Sequence, residues 1–184
     1  MINPKRTSKC KVCRAEFIKR SMAHKACSSP CALELVAKDK KRKEAKIDHV
    51  RKEDLKSLSD LKREAQTVFN AFIRARDKLS GYPCISSGRP LDWSGNQVDA
   101  GHYRSIGSAS HLRFNELNVH AQSKLDNRYL SGNAVDYRIG LIKRIGLPFV
   151  EELESDHAIK KWTREELVEL KLIYREKLKQ LKRD

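Results

Sequence analysis

Asp99-Ala-Gly-His102, Asn118-Val-His-Ala-Gln122 and Asp126-Asn127 are the residues on which the reading of this 184-residue chain turns. Short β-capable stretches surround residues 97–103 and 112–114, with Ser94-Gly-Asn96 and Ile106-Gly-Ser108 as turn signals around them. A helix is expected from about Val119 to Leu130, so the segment reads as two strands and a helix, a ββα unit. In that reading His102 ends a strand, Asn118 sits in a loop and Asn127 rides on the helix.

Working outward, Leu58, Leu61, Ala65, Val68, Phe69, Phe72 and Ile73 recur at three- and four-residue intervals. That spacing predicts an amphipathic helix, capped by Ser59 with Asp60 in its first turn and stopped near Gly81-Tyr-Pro83. After Ser131-Gly-Asn133, where Asn133 reads as a turn residue, a second helix carries Tyr137, Leu141, Ile142 and Ile145 and ends at Gly146. Thr163-Arg-Glu-Glu166 has the spacing of a capping box, and Leu167, Leu170, Tyr174, Leu178 and Leu181 form the stripe of a terminal helix. Trp93 and Trp162 read as packing residues. Composition divides the chain into residues 1–35, a highly charged helix or linker at 36–56, the central stretch 57–146 and a helical region 147–184.

Four of the five cysteines crowd into the first stretch as Cys10-Lys-Val-Cys13 and Cys27-Ser-Ser-Pro-Cys31. An odd total with two close pairs suits metal ligation better than disulfides. Four thiolates give a closed tetrahedral Zn²⁺ site that is structural, one ion per chain, because no coordination position stays open. Pro30 suits the first turn of a helix whose amino-terminal end favours anionic sulfur. The competing readings are four unrelated reduced thiols, or His24 in place of one of them.

Lys and Arg number 39 against 24 Asp and Glu, a net charge of +15 with a pI near 9.7. A basic surface gains affinity by releasing counterions from phosphates, so nucleic acid is the expected partner. No lipid-anchor pattern competes, no run of about eighteen apolar residues occurs, and Met1-Ile-Asn-Pro-Lys-Arg6 leads into no apolar leader. An intracellular protein without a membrane partner is expected.

The spacing of His102, Asn118 and Asn127 resembles that of metal-dependent nucleases of the His-Asn-His type. His102 is the candidate general base, since a neutral imidazole deprotonates water near neutral pH. Asp99 is a candidate ligand of a catalytic Mg²⁺ or Mn²⁺ or an orienter of His102. Asn118 would fix the loop and the imidazole, Asn127 takes the final ligand position, and His120 is a second ligand or a phosphate holder. Two residues separate Asp99 from His102, so His102 as a ligand is the alternative. Arg104, Arg113, Lys124, Arg128 and Arg138 could clamp phosphates, and Tyr103 and Tyr129 could stack on an unpaired base; solubilising charges and core tyrosines are the plainer reading.

Taken together, the cysteine pairs, Phe69-Asn-Ala-Phe-Ile-Arg-Ala-Arg-Asp77, Cys84-Ile-Ser86, Asp99-Ala-Gly-His-Tyr-Arg104, Leu112-Arg-Phe-Asn-Glu116, Asn118-x-His120 and Ser131-Gly-Asn133 resemble the NinG/Rap recombination proteins of lambdoid phages. The resemblance covers nearly the whole chain, to the Lys161-Trp-Thr region. It implies an α+β, mostly helical fold with an amino-terminal zinc knuckle and a ββα-metal core, HNH-like and treble-clef-like, flanked by helices. It also implies a structure-specific DNA endonuclease of a phage in its bacterial host cell, acting on Holliday junctions and D-loops. In that family the nuclease unit has its own cysteine quartet, whereas the matching places here read Cys84, Ser87, Ser123 and Asp126. A hydroxyl is a poor zinc ligand, so no second structural zinc is expected. Symmetric resolution of a junction needs two cuts, which makes a homodimer the expected form. The rival reading is a zinc-containing, non-catalytic DNA-binding accessory; a weaker one is an RNA-binding zinc protein.

Overall fold

The computed structural model describes residues 7–183, so the reading of residues 1–6 lies outside the described residues. Two units make up the chain, Met1–Lys56 and Ser57–Asp184.

In the first unit β1 (Thr7–Lys9) pairs antiparallel with β2 (Glu16–Ile18). The connecting knuckle closes through Cys10 N–H to Ala15 O, 2.8 Å, and Arg14 N–H to Cys10 O, 3.1 Å, with Arg14 at φ 65°. The charged run is a helix: α1 (Ser29–Asp54) starts at an N-cap, Ser28, whose hydroxyl accepts from Cys31 N–H, and Pro30 lies in its first turn. Pairs such as Lys38–Glu34 and Arg42–Asp39 lace its surface, and no residue of α1 is buried. The expected division at 35/36 therefore falls inside one helix.

The second unit is built on α2 (Leu58–Leu79). Its cap is Ser57 rather than Ser59, because Ser57-x-x-Asp60 has the capping-box spacing: Asp60 N–H reaches Ser57 Oγ at 3.1 Å and Ser57 N–H reaches Asp60 Oδ2 at 3.3 Å. The apolar stripe of α2 buries Leu61, Ala65, Phe69, Phe72 and Ile73 against Leu167 and Tyr174 of α5 (Arg164–Gln180). Ala100 of β3 (Val98–His102), Phe114 and Val119 of β4 (Val119–Ser123) complete this core. A second core gathers Ile85, Ala109 and Leu112 with Tyr137 and Leu141 of α3 (Ala134–Ile145) and Val150 and Leu153 of α4 (Leu147–Ser155). The stretch 147–184 is thus packed into the same unit as 57–146. Gly140 permits the close approach of α3 to the 84–88 loop, since a Cβ there would lie 1.8 Å from Ile85 O.

Two sequence expectations give way here. Residues 112–114 lie in a 3-10 turn, Ser110–Phe114, not a strand. Leu112 enters the second core and Phe114 the first, and a turn can send near neighbours to different cores. Residues 119–123 are a strand, not helix. Val119 and Ala121 alternate with His120 and Gln122 in the register Ala100↔Ala121, Gly101↔His120 and His102↔Val119. Beyond the strand a single π-helical turn, Leu125–Tyr129, leads toward α3. Strand 98–102 therefore pairs with 119–123 rather than with 112–114, and the helix expected over 119–130 is reduced to that single turn, while the second expected helix is present as α3.

Candidate functional site

In the first unit the four sulfurs of Cys10, Cys13, Cys27 and Cys31 all lie within 4.8 Å of one another. Cys13 and Cys27 sulfurs are 3.4 Å apart, Cys27 and Cys31 3.8 Å. A tetrahedron of Zn–S bonds near 2.3 Å has edges of about 3.8 Å, so the quartet matches a zinc ion and could hold one. Val12 N–H, 3.5 Å from Cys10 Sγ, helps lower that thiol to about 6, while Cys13 pushes its neighbour Cys27 up to about 12. Among the described residues no other group of three His, Cys, Asp or Glu ligand atoms converges in this way.

In the second unit, parity along the hairpin sorts the candidate residues. His102 shares a face with Val98, Ala100, Val119 and Ala121; Asp99 and Gly101 share the other with His120 and Gln122. His102 is half-buried, and its Nε2 lies 3.0 Å from Arg113 O. A carbonyl only accepts, so Nε2 carries the proton and Nδ1 keeps its lone pair. Burial pushes the imidazole below its ordinary pKa, with the Arg113 carbonyl opposing and the Arg113 charge adding to the shift. The orienter of His102 is thus the Arg113 carbonyl and not Asp99.

Asn118 is fully buried and its amide is consumed by the loop. Oδ1 accepts from Arg104 N–H at 2.8 Å, and Nδ2 donates to Arg104 O at 3.0 Å and Leu112 O at 3.2 Å. It fixes the turn whose next carbonyl, that of Arg113, receives His102. Asp99 and Asn127 do come together: Asn127 Nδ2 donates to Asp99 Oδ2 at 3.0 Å. Arg128 grips the same carboxylate through Nε at 2.7 Å and Nη2 at 3.3 Å. Burial alone would raise the Asp99 carboxyl, but these hydrogen bonds and the charges of Arg128 and Lys124 hold it below the usual carboxylate range. Directly across the hairpin from Asp99 stands Gln122, wholly buried. Its Nε2 donates to Ser86 Oγ at 2.5 Å and Gly132 O at 2.7 Å, while Oε1 is buried without a protein donor. That oxygen fills the space a Cβ at Gly101 would take. Asp99 and Gln122 thus lie on one face of the hairpin, with Asn127 donating to Asp99 from the turn beyond it. Sequence reading gave Gln122 no role, although its parity with Asp99 was open to inspection once the strand was recognised.

His120 is not offered to an ion. It is buried, its Nε2 donates to Leu117 O at 3.1 Å, and its Nδ1 accepts from Arg76 Nη2 at 3.1 Å. Asp77, fully buried, lies beside it at 3.8 Å and also accepts from Arg76 Nε at 2.7 Å and Ala121 N–H at 2.6 Å; Arg144 stands 3.6 Å away. Burial drives His120 down to about 4, Asp77 opposing and Arg76 and Arg144 assisting. A histidine depressed below its unfolded value takes up its proton on unfolding, so stability falls as pH drops from about 6.5 toward 4. The shift is of order 3 kcal/mol by about 1.4 kcal/mol per unit. Urea melts between pH 7 and 4 should show this slope, and His120→Gln should flatten it; an unchanged slope would assign the loss elsewhere.

Most of the expected phosphate clamps have structural work. Arg104 Nη1 donates to the carbonyls of Leu153, Glu154 and Asp156 at 2.9, 3.1 and 2.7 Å, closing the end of α4. Arg138 pairs with Glu154 at 2.7 Å, and Arg113 Nε donates to Gln66 Oε1 at 2.8 Å. Tyr103 donates its hydroxyl to Glu154 and packs on Tyr137, ring centroids 5.6 Å apart, so it is a core residue rather than a stacking one. Trp162 packs edge-on to Phe114 at 5.0 Å, and Trp93 lies under Lys78 Nζ.

Cys84, Ser87, Ser123 and Asp126 converge without forming a thiol quartet. Asp126 Oδ2 accepts from Ser123 Oγ at 2.6 Å and Cys84 Sγ at 3.3 Å, and Oδ1 accepts from Asn133 Nδ2 at 3.1 Å. Ser123 N–H points at Cys84 Sγ, 3.3 Å. Burial would raise the Asp126 carboxyl; hydrogen bonds from Ser123, Asn133, Cys84 and Ser87 bring it below its ordinary value. A hydrogen-bonded clasp centred on one carboxylate ties the 84–87 loop to the end of β4. Asp126→Asn should cost about 2 kcal/mol, as expected when hydrogen bonds to a charged acceptor are lost. The urea midpoint reads this, with zinc content unchanged; a midpoint equal to wild type would show the clasp to be idle.

The comparisons with known proteins agree with one another. The model of the family described as "NinG: Bacteriophage Lambda NinG protein" matches residues 1–184. Over 133 residues the chain is 47% identical to Protein ninG of Salmonella phage P22 and 47% identical to Protein ninG of Escherichia phage lambda. Each alignment covers 72% of this chain and 63% of the relative, so the chain spans under two thirds of the length of these relatives. Protein ninG of Escherichia phage 933W is 46% identical over the same length, covering 72% of this chain and 64% of the relative. No solved structure matches. No helix among the described residues is long and apolar enough to cross a membrane. A match over every residue, with relatives this similar, means that the chain belongs to the NinG family of lambdoid phage proteins.

Proposed function

We propose that this protein is a structure-specific DNA endonuclease that hydrolyses phosphodiesters in branched recombination intermediates, Holliday junctions and D-loops, inside the bacterial host cell. The observation that carries the reading is the hydrogen bond from His102 Nε2 to Arg113 O. It holds a neutral imidazole with Nδ1 ready to take a proton from water. Asn118 keeps the Arg113 turn in place, and Asp99 and Asn127 would supply oxygens for Mg²⁺ or Mn²⁺ once Arg128 yields its hold on Asp99. Such an ion, when bound, stabilises charge on the phosphorane and the leaving oxygen. The net charge of +15 favours a polyanionic substrate. Two symmetric cuts require two centres, so the active form is a homodimer.

A second reading has its own observation. Arg128 occupies both oxygens of Asp99, and strand parity sets Asp99 and His102 on opposite faces of the hairpin, three residues or about 10 Å along the strand. An arrangement of this kind suits a zinc-containing accessory that binds DNA without cutting it. Incubating the zinc-loaded protein with a labelled four-way junction and Mg²⁺ or Mn²⁺ separates the two. Cleavage at the branch supports the nuclease; tight binding with intact strands supports the accessory.

A further inference from the structure

The π-helical turn Leu125–Tyr129 presents three differently engaged sides. Inward, Asp126 is buried in the clasp with Cys84 and Ser123. Laterally, Asn127 and Arg128 hold Asp99. Leu130 N–H donates to Leu125 O at 3.1 Å, and this five-residue closure brings Leu125 and Leu130 to one side of the turn, with Tyr129 adjoining them. Those three remain exposed, at 55% for Leu125, 76% for Tyr129 and 51% for Leu130. Lys124 precedes the patch in sequence, and Arg128, itself 57% exposed at its side chain, flanks it.

An aromatic ring and two leucines bordered by cations match one kind of partner. We infer that Leu125, Tyr129 and Leu130 form a stacking surface for unpaired bases, which gives the protein its preference for branched over fully paired DNA. In a continuous duplex the bases are stacked on each other and present no free face, whereas a branch point exposes one. Lys124 and Arg128 would meet the adjoining phosphates, with Arg128 exchanging part of its hold on Asp99. The inference rests on the proposed function for DNA as the polymer, but not on cleavage.

The test is binding by the zinc-loaded full chain without Mg²⁺ or Mn²⁺, to a four-way junction and to a duplex of the same length. A 2-aminopurine is placed at the branch. Because Tyr129 is exposed, its replacement leaves the core intact. Tyr129→Ala is expected to raise the Kd for the junction about 5- to 100-fold, the usual loss for one base–aromatic stack, while the duplex Kd stays within about twofold. Tyr129→Phe should bind as wild type, and 2-aminopurine emission should respond to wild type and the Phe variant but not to the Ala variant. Equal loss on both DNAs, or no loss on either, overturns the proposal. So does a change in oligomeric state with Tyr129→Ala, which would make the patch a protein interface. Intact strands in the separate Mg²⁺ assay would refute the nuclease and leave this binding result standing or falling by itself.

Discussion

Junction cleavage by His102→Ala is expected to be slower than wild type by about 100- to 10 000-fold in kcat, the range that a positioned general base contributes. The same change removes one neutral hydrogen bond to Arg113 O, about 1 kcal/mol of stability, so the variant should fold and bind the junction nearly as wild type. Loss confined to kcat marks a group acting on the reacting water; a matching loss of binding would mark His102 as a brace for the Arg113 turn. pH gives an independent reading. The base must be neutral to work, and burial holds the His102 pKa below its ordinary value. The acid limb of the wild-type profile should therefore lie below pH 6.5, with activity falling as pH drops through it. In His102→Ala that limb should vanish from the residual rate. Cleavage by the variant at the wild-type rate would remove His102 from the chemistry.

How much of this was legible beforehand depended on the range of the signal. The α2 stripe, the α5 capping box and the cysteine pairs are local patterns, and each appears where its spacing placed it. The stretch 119–130 misled because its strand alternation is short, ending at Ser123, and a helical turn follows at Leu125. Strand pairing with residues 98–102 decides the matter, and that contact is remote in sequence. Of the expected divisions, the one at 56/57 coincides with the boundary between the two units, while the one at 35/36 lies within α1 for a related reason. Composition shifts at residue 36, but a helix continues through a shift from mixed to charged residues when salt bridges between neighbouring turns support it.

The site was legible as residue types and not as partnerships. His102 stood out by its spacing, yet its partner is a backbone carbonyl, which every residue possesses and no motif advertises. Arg104 and Arg138 read as phosphate clamps because a sequence shows positive charge but not the carbonyls and the Glu154 carboxylate that use it. Asp77 and His120 lie 43 positions apart and meet only when α2 packs on β4. The Cys84, Ser87, Ser123 and Asp126 positions converge as their counterparts in the resemblance suggested, but with one carboxylate accepting where thiolates would share an ion.

That contrast predicts opposite responses of the first unit and the clasp to a chelator. In the first unit the buried hydrophobic residues, among those described, are Cys10 and Ala26, and α1 buries none. So small a core cannot offset the conformational entropy of ordering β1, β2 and the knuckle. A zinc ion held by the four sulfurs could supply the difference, since a structural zinc contributes about 10–16 kcal/mol near neutral pH. Purified protein should carry one zinc per chain. Stripping it, or Cys27→Ser, should open residues 7–28 to protease at low enzyme concentration. The second unit, with two hydrophobic cores and a hydrogen-bonded clasp, should keep its urea transition within about 1 kcal/mol. A stoichiometry of two would mean that Cys84 and Asp126 coordinate metal as well. Protease resistance unchanged by chelation would mean that the four sulfurs lie close together for a reason other than zinc.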